Sequence, residues 1–298
     1  MTTPLNISTI TGLRCAEDLR VAEGLLADGV RIAKVILHHD ATLCRRNIER
    51  TVAEAARLGV VLELLANENC LDHCPYRDRH YALYGRLTEA GGAGATSTRL
   101  IDPFSLACVA RRLTAPHTLL ELAGLVRPED LARYGSLGIA HFKCGGRARS
   151  DPWIDRIASA YVGGRYSGNL FDLMMYTVPF VDLFGMTTSE IFFLRSDSET
   201  LAGHLAELFE EEDLFRRTCL RQDTAARMFA AGELAINDPG SSYVLRRGQV
   251  VLERPGRYLL HVRGLLSRAG ESAAGAARGS RDRARPAGLP ARRCGDTP

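Results

Sequence analysis

Little in this sequence places it in a membrane, outside the cell or on a nucleic acid. Its apolar stretches are short, or are broken by acids such as Asp172 and Asp182, so none reads as a bilayer span. Met1-Thr2-Thr3-Pro4 offers neither the basic start nor the apolar core of a signal peptide. The expectation is a cytoplasmic protein, no membrane partner, and thiols kept reduced. A net charge of +3 over 298 residues is too small to imply nucleic-acid binding. Familiar hydrolase signatures are missing: the chain contains no HExxH and no GxSxG. The glycine-rich stretch 91–98 (GGAGATST) is read as a flexible loop, because no Lys-Ser/Thr follows to make it a phosphate loop. No repeat of fixed period is found.

What remains is an ordinary globular composition, 46% hydrophobic and 24% charged. The first half alternates apolar strands with amphipathic helices. Strands are expected at 7–10, 31–37, 60–65, 122–126 and 139–144. Helices are expected at 16–27, 43–58 and 151–162, and one opens at Pro128-Glu129-Asp130. Gly29, Gly59 and Gly138 stand where helices should end. Strands alternating with helices imply an α/β fold with a parallel sheet. The regular unit length favours a TIM-barrel-like (β/α) domain over an open sheet. We divide the chain into a (β/α) core at 1–175, a helical and hairpin extension at 176–265, and a disordered Arg/Ala/Gly-rich tail at 266–298. The extension is expected to hold an acidic helix over 201–215 and a hairpin over 245–252.

Eight cysteines are present. Compartment and size argue against a disulfide framework. Cys70 and Cys74 lie just after the strand 60–65 and just before Pro75, which suits a helix start. A helix N-terminus lowers a thiol pKa and favours an anionic centre. With Cys108, in the segment DPFSLAC, they supply three thiolates. Iron–sulfur clusters take about four thiolates, and zinc takes four Cys or His ligands. Cys219 is the fourth candidate by position, and Cys44 beside Arg45 and Arg46 is a rival. The competing reading is that these thiols are small buried hydrophobes.

In α/β folds, binding groups gather beyond the carboxyl ends of strands. Asn67–Cys74, Arg127 and Gly145-Gly146-Arg147 all follow strands. Arg127, Lys143 and Arg147 suit an anionic substrate, with ion pairing to Glu129, Asp130 or Glu63 as the competing role. His73 and His80 flank the cysteine loop. His38-His39-Asp40 ends a strand, and a polar surface pair is the default there.

Four blocks together resemble the peptidase U32 (collagenase-like peptidase) family. They are LELLANENCLDHCPYRDRHY at 62–81, DPFSLAC at 102–108, LVRPEDLARYGSLGIAHFKCGGR at 125–147, and AYVGGRYSGNLFDLM at 160–174. The resemblance covers roughly residues 7–174. It implies a TIM-barrel-like domain and a 4Fe-4S cluster. It also implies either oxygen-independent hydroxylation of a small molecule or RNA base, or proteolysis. Cys70, Cys74 and Cys108 match cysteine positions of the family. Arg127, Glu129 and Asp130 match its Arg-Pro-Glu-Asp block, and Lys143 and Arg147 match the continuation. Similar proteins carry further strand–helix units before the segment resembling 7–37, so the barrel here is expected to lack units.

The resulting expectation is a redox enzyme with Cys70, Cys74, Cys108 and Cys219 on the cluster and Arg127, Glu129, Lys143, Arg147 and His80 in catalysis. An electron donor or a paralogous partner subunit would accompany it. The alternatives are a peptidase with a cysteine nucleophile, Cys70 or Cys144 beside His73, His80 or His141, and a non-catalytic, zinc-stabilised binding module.

Overall fold

A computed structural model describes residues 3–89, 102–146, 149–174 and 183–269. Its central feature is a sheet of four strands, β1 (Leu5–Ile7), β2 (Ile32–Ile36), β3 (Val61–Leu65) and β6 (His141–Lys143), in the order β1-β2-β3-β6. All three pairings are parallel: Ile7 lies beside Val35, Val35 beside Leu62, and Leu65 beside Lys143. The strands form because Val35, Ile36, Leu62 and Leu64 are apolar, extended-chain formers that bury at once. Helices α1 (Arg20–Ala27) and α2 (Arg45–Leu58) make the connections between consecutive strands. Gly59 ends α2 with φ +68, a left-handed turn that a side chain would strain. The α/β class with a parallel sheet is therefore as expected.

Between β3 and β6 the chain departs from simple alternation. β4 (Asn67–Cys70) and β5 (Ala123–Leu125) form a separate antiparallel ribbon. Between them lie α3 (Arg77–Glu89) and α4 (Pro103–Thr114). After β5 come a short turn at Pro128–Asp130 and then α5 (Leu131–Ser136). α6 (Asp151–Gly163) follows β6.

Two of the expected elements shift for identifiable reasons. The strand expected at 7–10 is instead Leu5–Ile7, because Leu5 and Ile7 register against Ile32 and Val35, and Thr9–Thr11 turns away. The acidic helix expected at 201–215 is two helices, Glu199–Glu210 and Leu214–Ala230. Asp213 separates them, its carboxylate capping the second by accepting the Arg216 N–H at 2.8 Å. The expected hairpin is present as two antiparallel strands, Ser242–Arg246 and Gln249–Arg254. Its two turn residues, Arg247 and Gly248, both have positive φ, as tight hairpin turns require.

Two apolar cores result. One packs Ile7, Val35, Ile48, Leu64, Val126, Tyr134 and Ile139 around the parallel sheet. The other joins Leu106, Val109 and Leu113 of α4 to Leu120, Ile157, Phe171, Phe192, Leu205, Met228 and Leu259. Residues 257–269 are helical, so the start of the expected tail at 266–269 is ordered, and the rest of it, 270–298, lies outside the described residues. The loop at 91–98 lies outside them too. Among the described residues no helix is long and apolar enough to cross a membrane.

Candidate metal centre

The carboxyl ends of β2 and β3 deliver two short runs to one place: His38-His39-Asp40 and Asn67-Glu68 through Cys70 to Cys74. Asn67 fixes the second run. Fully buried, its amide donates to the Gly145 carbonyl (3.1 Å) and accepts the Gly145 N–H (2.7 Å), and it donates again to the Leu173 carbonyl. One side chain thereby ties together the ends of β3 and β6.

The cysteine loop is then clamped from below. Arg77, at the start of α3, is buried; it donates to the Leu71 carbonyl and pairs with Asp40 at 2.5 Å. Asp72, between the two cysteines, is paired with Arg217 at 3.2 Å and also with Arg221. Asp40 further accepts the His73 N–H at 3.2 Å.

Cys70, Cys74 and Cys108 stand near enough for their charges to interact. Burial pushes the Cys70 thiol well up, with Glu68, Cys108 and Cys74 adding to the rise and Arg77 opposing it. Cys74 is raised by burial first, against a backbone N–H from Tyr76 that favours its thiolate, with Cys108 and Asp40 adding to the rise and Arg77 opposing it. Burial and neighbouring negative charge disfavour a thiolate at Cys70 and Cys74, and a bound cation would offset both, because the thiolate is the form that ligates. Among the described residues the three sulfurs do not form a group with all ligand atoms within 4.8 Å of one another, so they are spread too widely for one ion, and an iron–sulfur cluster is the centre that thiol donors of this kind suit. All seven cysteines among the described residues are free thiols.

Cys108 is brought in by α4, and the packing explains how. Asp102 caps that helix, accepting the Phe104 and Ser105 N–H groups at 2.8 and 2.9 Å. The same carboxylate receives the Ser105 hydroxyl (2.7 Å) and meets His80 Nε2 of α3 (3.3 Å). Burial alone would raise Asp102, but the hydrogen bonds from His80 and Ser105 bring it down to about 2. Ser105 and Cys108 are three apart and share a helix face. The contact thus sets α4, and its thiol, against α3. It is not a hydrolytic triad: Ser105 and Asp102 both approach His80 Nε2, whereas a triad needs them on opposite ring nitrogens, and Ser105 is fully buried. His80, expected in catalysis, is occupied in this tether.

Cys219 does not join the set. Its neighbours Arg217 and Arg221 face Asp72, and Cys219 lies two residues from each, roughly 200° round the helix from that face. His39 comes up beside the cysteine loop. With Glu68 and Cys70 it forms a group whose ligand atoms all lie within 4.8 Å of one another. The expected surface pair is in fact buried: His38 and His39 are each 1% exposed. Burial, then Arg77, brings His39 down to about 3, so its ring is neutral. The sequence signal for His39 was its position after a strand, and for Glu68 its place inside the cysteine loop.

The expected anion binders scatter. Arg127 is buried and committed: it forks onto Asp130 at 2.8 and 3.2 Å and donates to the Ser196 carbonyl at 3.0 Å. The competing ion-pair role is the one the structure shows. Glu129 is exposed and accepts the Tyr166 N–H at 2.6 Å, on a cleft of about 690 Å³ lined also by Arg156, Arg165 and Ser167. Lys143 ends β6 with its side chain exposed. Arg147 lies outside the described residues. Cys144 is exposed, and burial of its sulfur raises it to about 11, which disfavours a ready nucleophile.

Among known proteins, the chain is similar to one from Methanocaldococcus jannaschii described as an uncharacterized protease. The two are 32% identical over 114 residues, which is 38% of this chain. The match spans about a third of the relative's length (32%). No protein-family model matches the chain. No solved structure matches it.

Proposed function

We propose that the chain is a peptidase-U32-like iron–sulfur enzyme whose centre is held by Cys70, Cys74 and Cys108 at the mouth of a partial (β/α) barrel. The observation that carries this reading is the contact of Asp102 and Ser105 with His80, which sets α4 and its Cys108 against α3, the helix that directly follows the Cys70/Cys74 loop. The strand order β1-β2-β3-β6 follows the chain, as successive staves of a barrel do. A bound cluster supplies one-electron transfer. The chain's own residues hold its thiolates, shield them by burial and fix their spacing through Asn67, Arg77 and Asp102. Redox modification of an anionic small molecule or RNA base, of the oxygen-independent hydroxylation type, follows from this reading. Lys143, exposed at a strand end, would meet the anion, and a separate electron donor would serve the centre. Protein purified without oxygen is expected to be brown and to contain iron and acid-labile sulfide; a colourless, iron-free protein after reconstitution refutes the reading.

A peptidase is the second reading, favoured by the description of the archaeal relative. It requires a reactive thiol, whereas burial raises Cys70, Cys74 and Cys144 alike. Labelling by a thiol-directed probe, and peptide cleavage lost in Cys70→Ala or Cys144→Ala, would establish it over the redox reading.

A further inference from the structure

The three thiols leave a fourth coordination position to be filled, and Cys219 faces elsewhere. His39 is the strongest alternative on four separate grounds. It is 1% exposed, and its Nδ1 has no hydrogen-bond partner. A buried polar nitrogen left unpaired is costly, and native interiors rarely keep one without a ligand or water. Its other nitrogen, Nε2, contacts the Tyr81 hydroxyl. Metal-bound histidines characteristically have the second nitrogen engaged in this way, which fixes the ring and leaves the first nitrogen's lone pair for the metal.

The ring is also held in place from behind. Gly124, at φ +77 in β5, passes so close that a Cβ there would lie 3.0 Å from the His39 Cβ and 3.1 Å from the Glu68 Cβ. Only glycine lets the β4–β5 ribbon press against both side chains. Lastly, a ring nitrogen of His39, a Glu68 oxygen and the Cys70 sulfur share one space, within 4.8 Å of each other.

We propose that His39 is the non-thiol ligand of the centre held by Cys70, Cys74 and Cys108. This rests on the iron–sulfur reading above. Imidazole replacing thiolate raises the potential of an iron–sulfur centre, because a neutral donor leaves the centre less negative. The centre would therefore be easier to reduce than an all-cysteine one.

The test is pulsed EPR on the reduced, anaerobically reconstituted protein, with a midpoint potential and iron content for each variant. The wild type should show strong hyperfine coupling to a directly bound nitrogen. His39→Cys, which offers a thiolate from the same position, should retain iron, lose that coupling and titrate at a lower potential. Tyr81→Phe should keep the coupling and hold iron about tenfold more weakly, as expected for a residue that orients the ligand. Iron-loaded wild type without nitrogen coupling, or a potential unchanged in His39→Cys, overturns the assignment of His39 and leaves the iron–sulfur reading standing. Wild type that takes up no iron overturns both.

Discussion

Arg221 reaches Asp72 across 149 residues of sequence, and the contact is buried at both ends. It fastens the helix Leu214–Ala230 onto the loop between Cys70 and Cys74. Arg217 joins it one turn earlier and also donates to the carbonyls of Leu43, Leu208 and Glu211. Asp72→Ala would leave two buried guanidinium groups without their carboxylate. Removing one partner from such a pair costs about 3–5 kcal/mol. Urea denaturation should show that loss, whereas Cys219→Ser, on the opposite face, should unfold near wild type and keep its metal.

Asp102 gives a prediction with a defined sign. Its carboxyl is held at about 2, below the ordinary 3.8, so it stabilises the fold fully above pH 3.8. That contribution is lost as pH falls from 3.8 through about 2. Asp102→Asn keeps an oxygen for the helix cap but not the charge facing His80. It should lose stability at pH 7 and flatten the stability profile below pH 4, measured by thermal unfolding across pH. An unchanged acid limb would show that the His80 contact contributes nothing.

His204 gives the opposite kind of case. It is buried, it contacts the Thr224 hydroxyl at 3.1 Å, and burial, with Arg221, Arg227 and Arg217 adding to it, brings it down to about 3. Its folded state stays neutral where the unfolded chain takes a proton, below about pH 6.5. Stability is therefore complete above pH 6.5 and falls as pH drops toward 3, at up to about 1.4 kcal/mol per pH unit from this residue. His204→Gln should reduce that slope between pH 6 and 4. An identical slope would contradict the assignment.

Arg127 is predicted to be a structural residue. Arg127→Met should destabilise the protein, because Asp130 and the Ser196 carbonyl lose their shared donor in a buried site. Any substrate affinity that survives should be little changed per folded molecule. A fully stable Arg127→Met with a selective loss of substrate binding would return the residue to the catalytic group.

Much of the frame could be read from the chain. Val35, Ile36, Leu62 and Leu64 announce buried strands, and Gly59 marks the end of α2 with a backbone angle only glycine takes readily. The loop after β3 was recognisable from its thiols and from its place at a strand end. Long-range choices were not. Nothing local in Arg217 or Arg221 says that they close on Asp72, and an arginine followed by Pro-Glu-Asp suits an anion site as well as the ion pair that forms. His39 was misread because two adjacent histidines beside an aspartate have the composition of a surface turn. Their burial depends on Tyr81 and on the ribbon passing at Gly124, residues far along the chain. The acidic helix was overextended because its apolar period runs on through the Asp213 cap.

The measurement that bears most directly on the account is iron and acid-labile sulfide per chain in anaerobically isolated protein, for the wild type and for Cys70→Ser, Cys74→Ser and Cys108→Ser. Both elements are expected in the wild type, with a large loss in each variant, Cys108→Ser included, though Cys108 lies on α4 and the other two cysteines lie in the loop after β3. Iron and sulfide undiminished in Cys108→Ser, or absent from the wild type, would contradict the account.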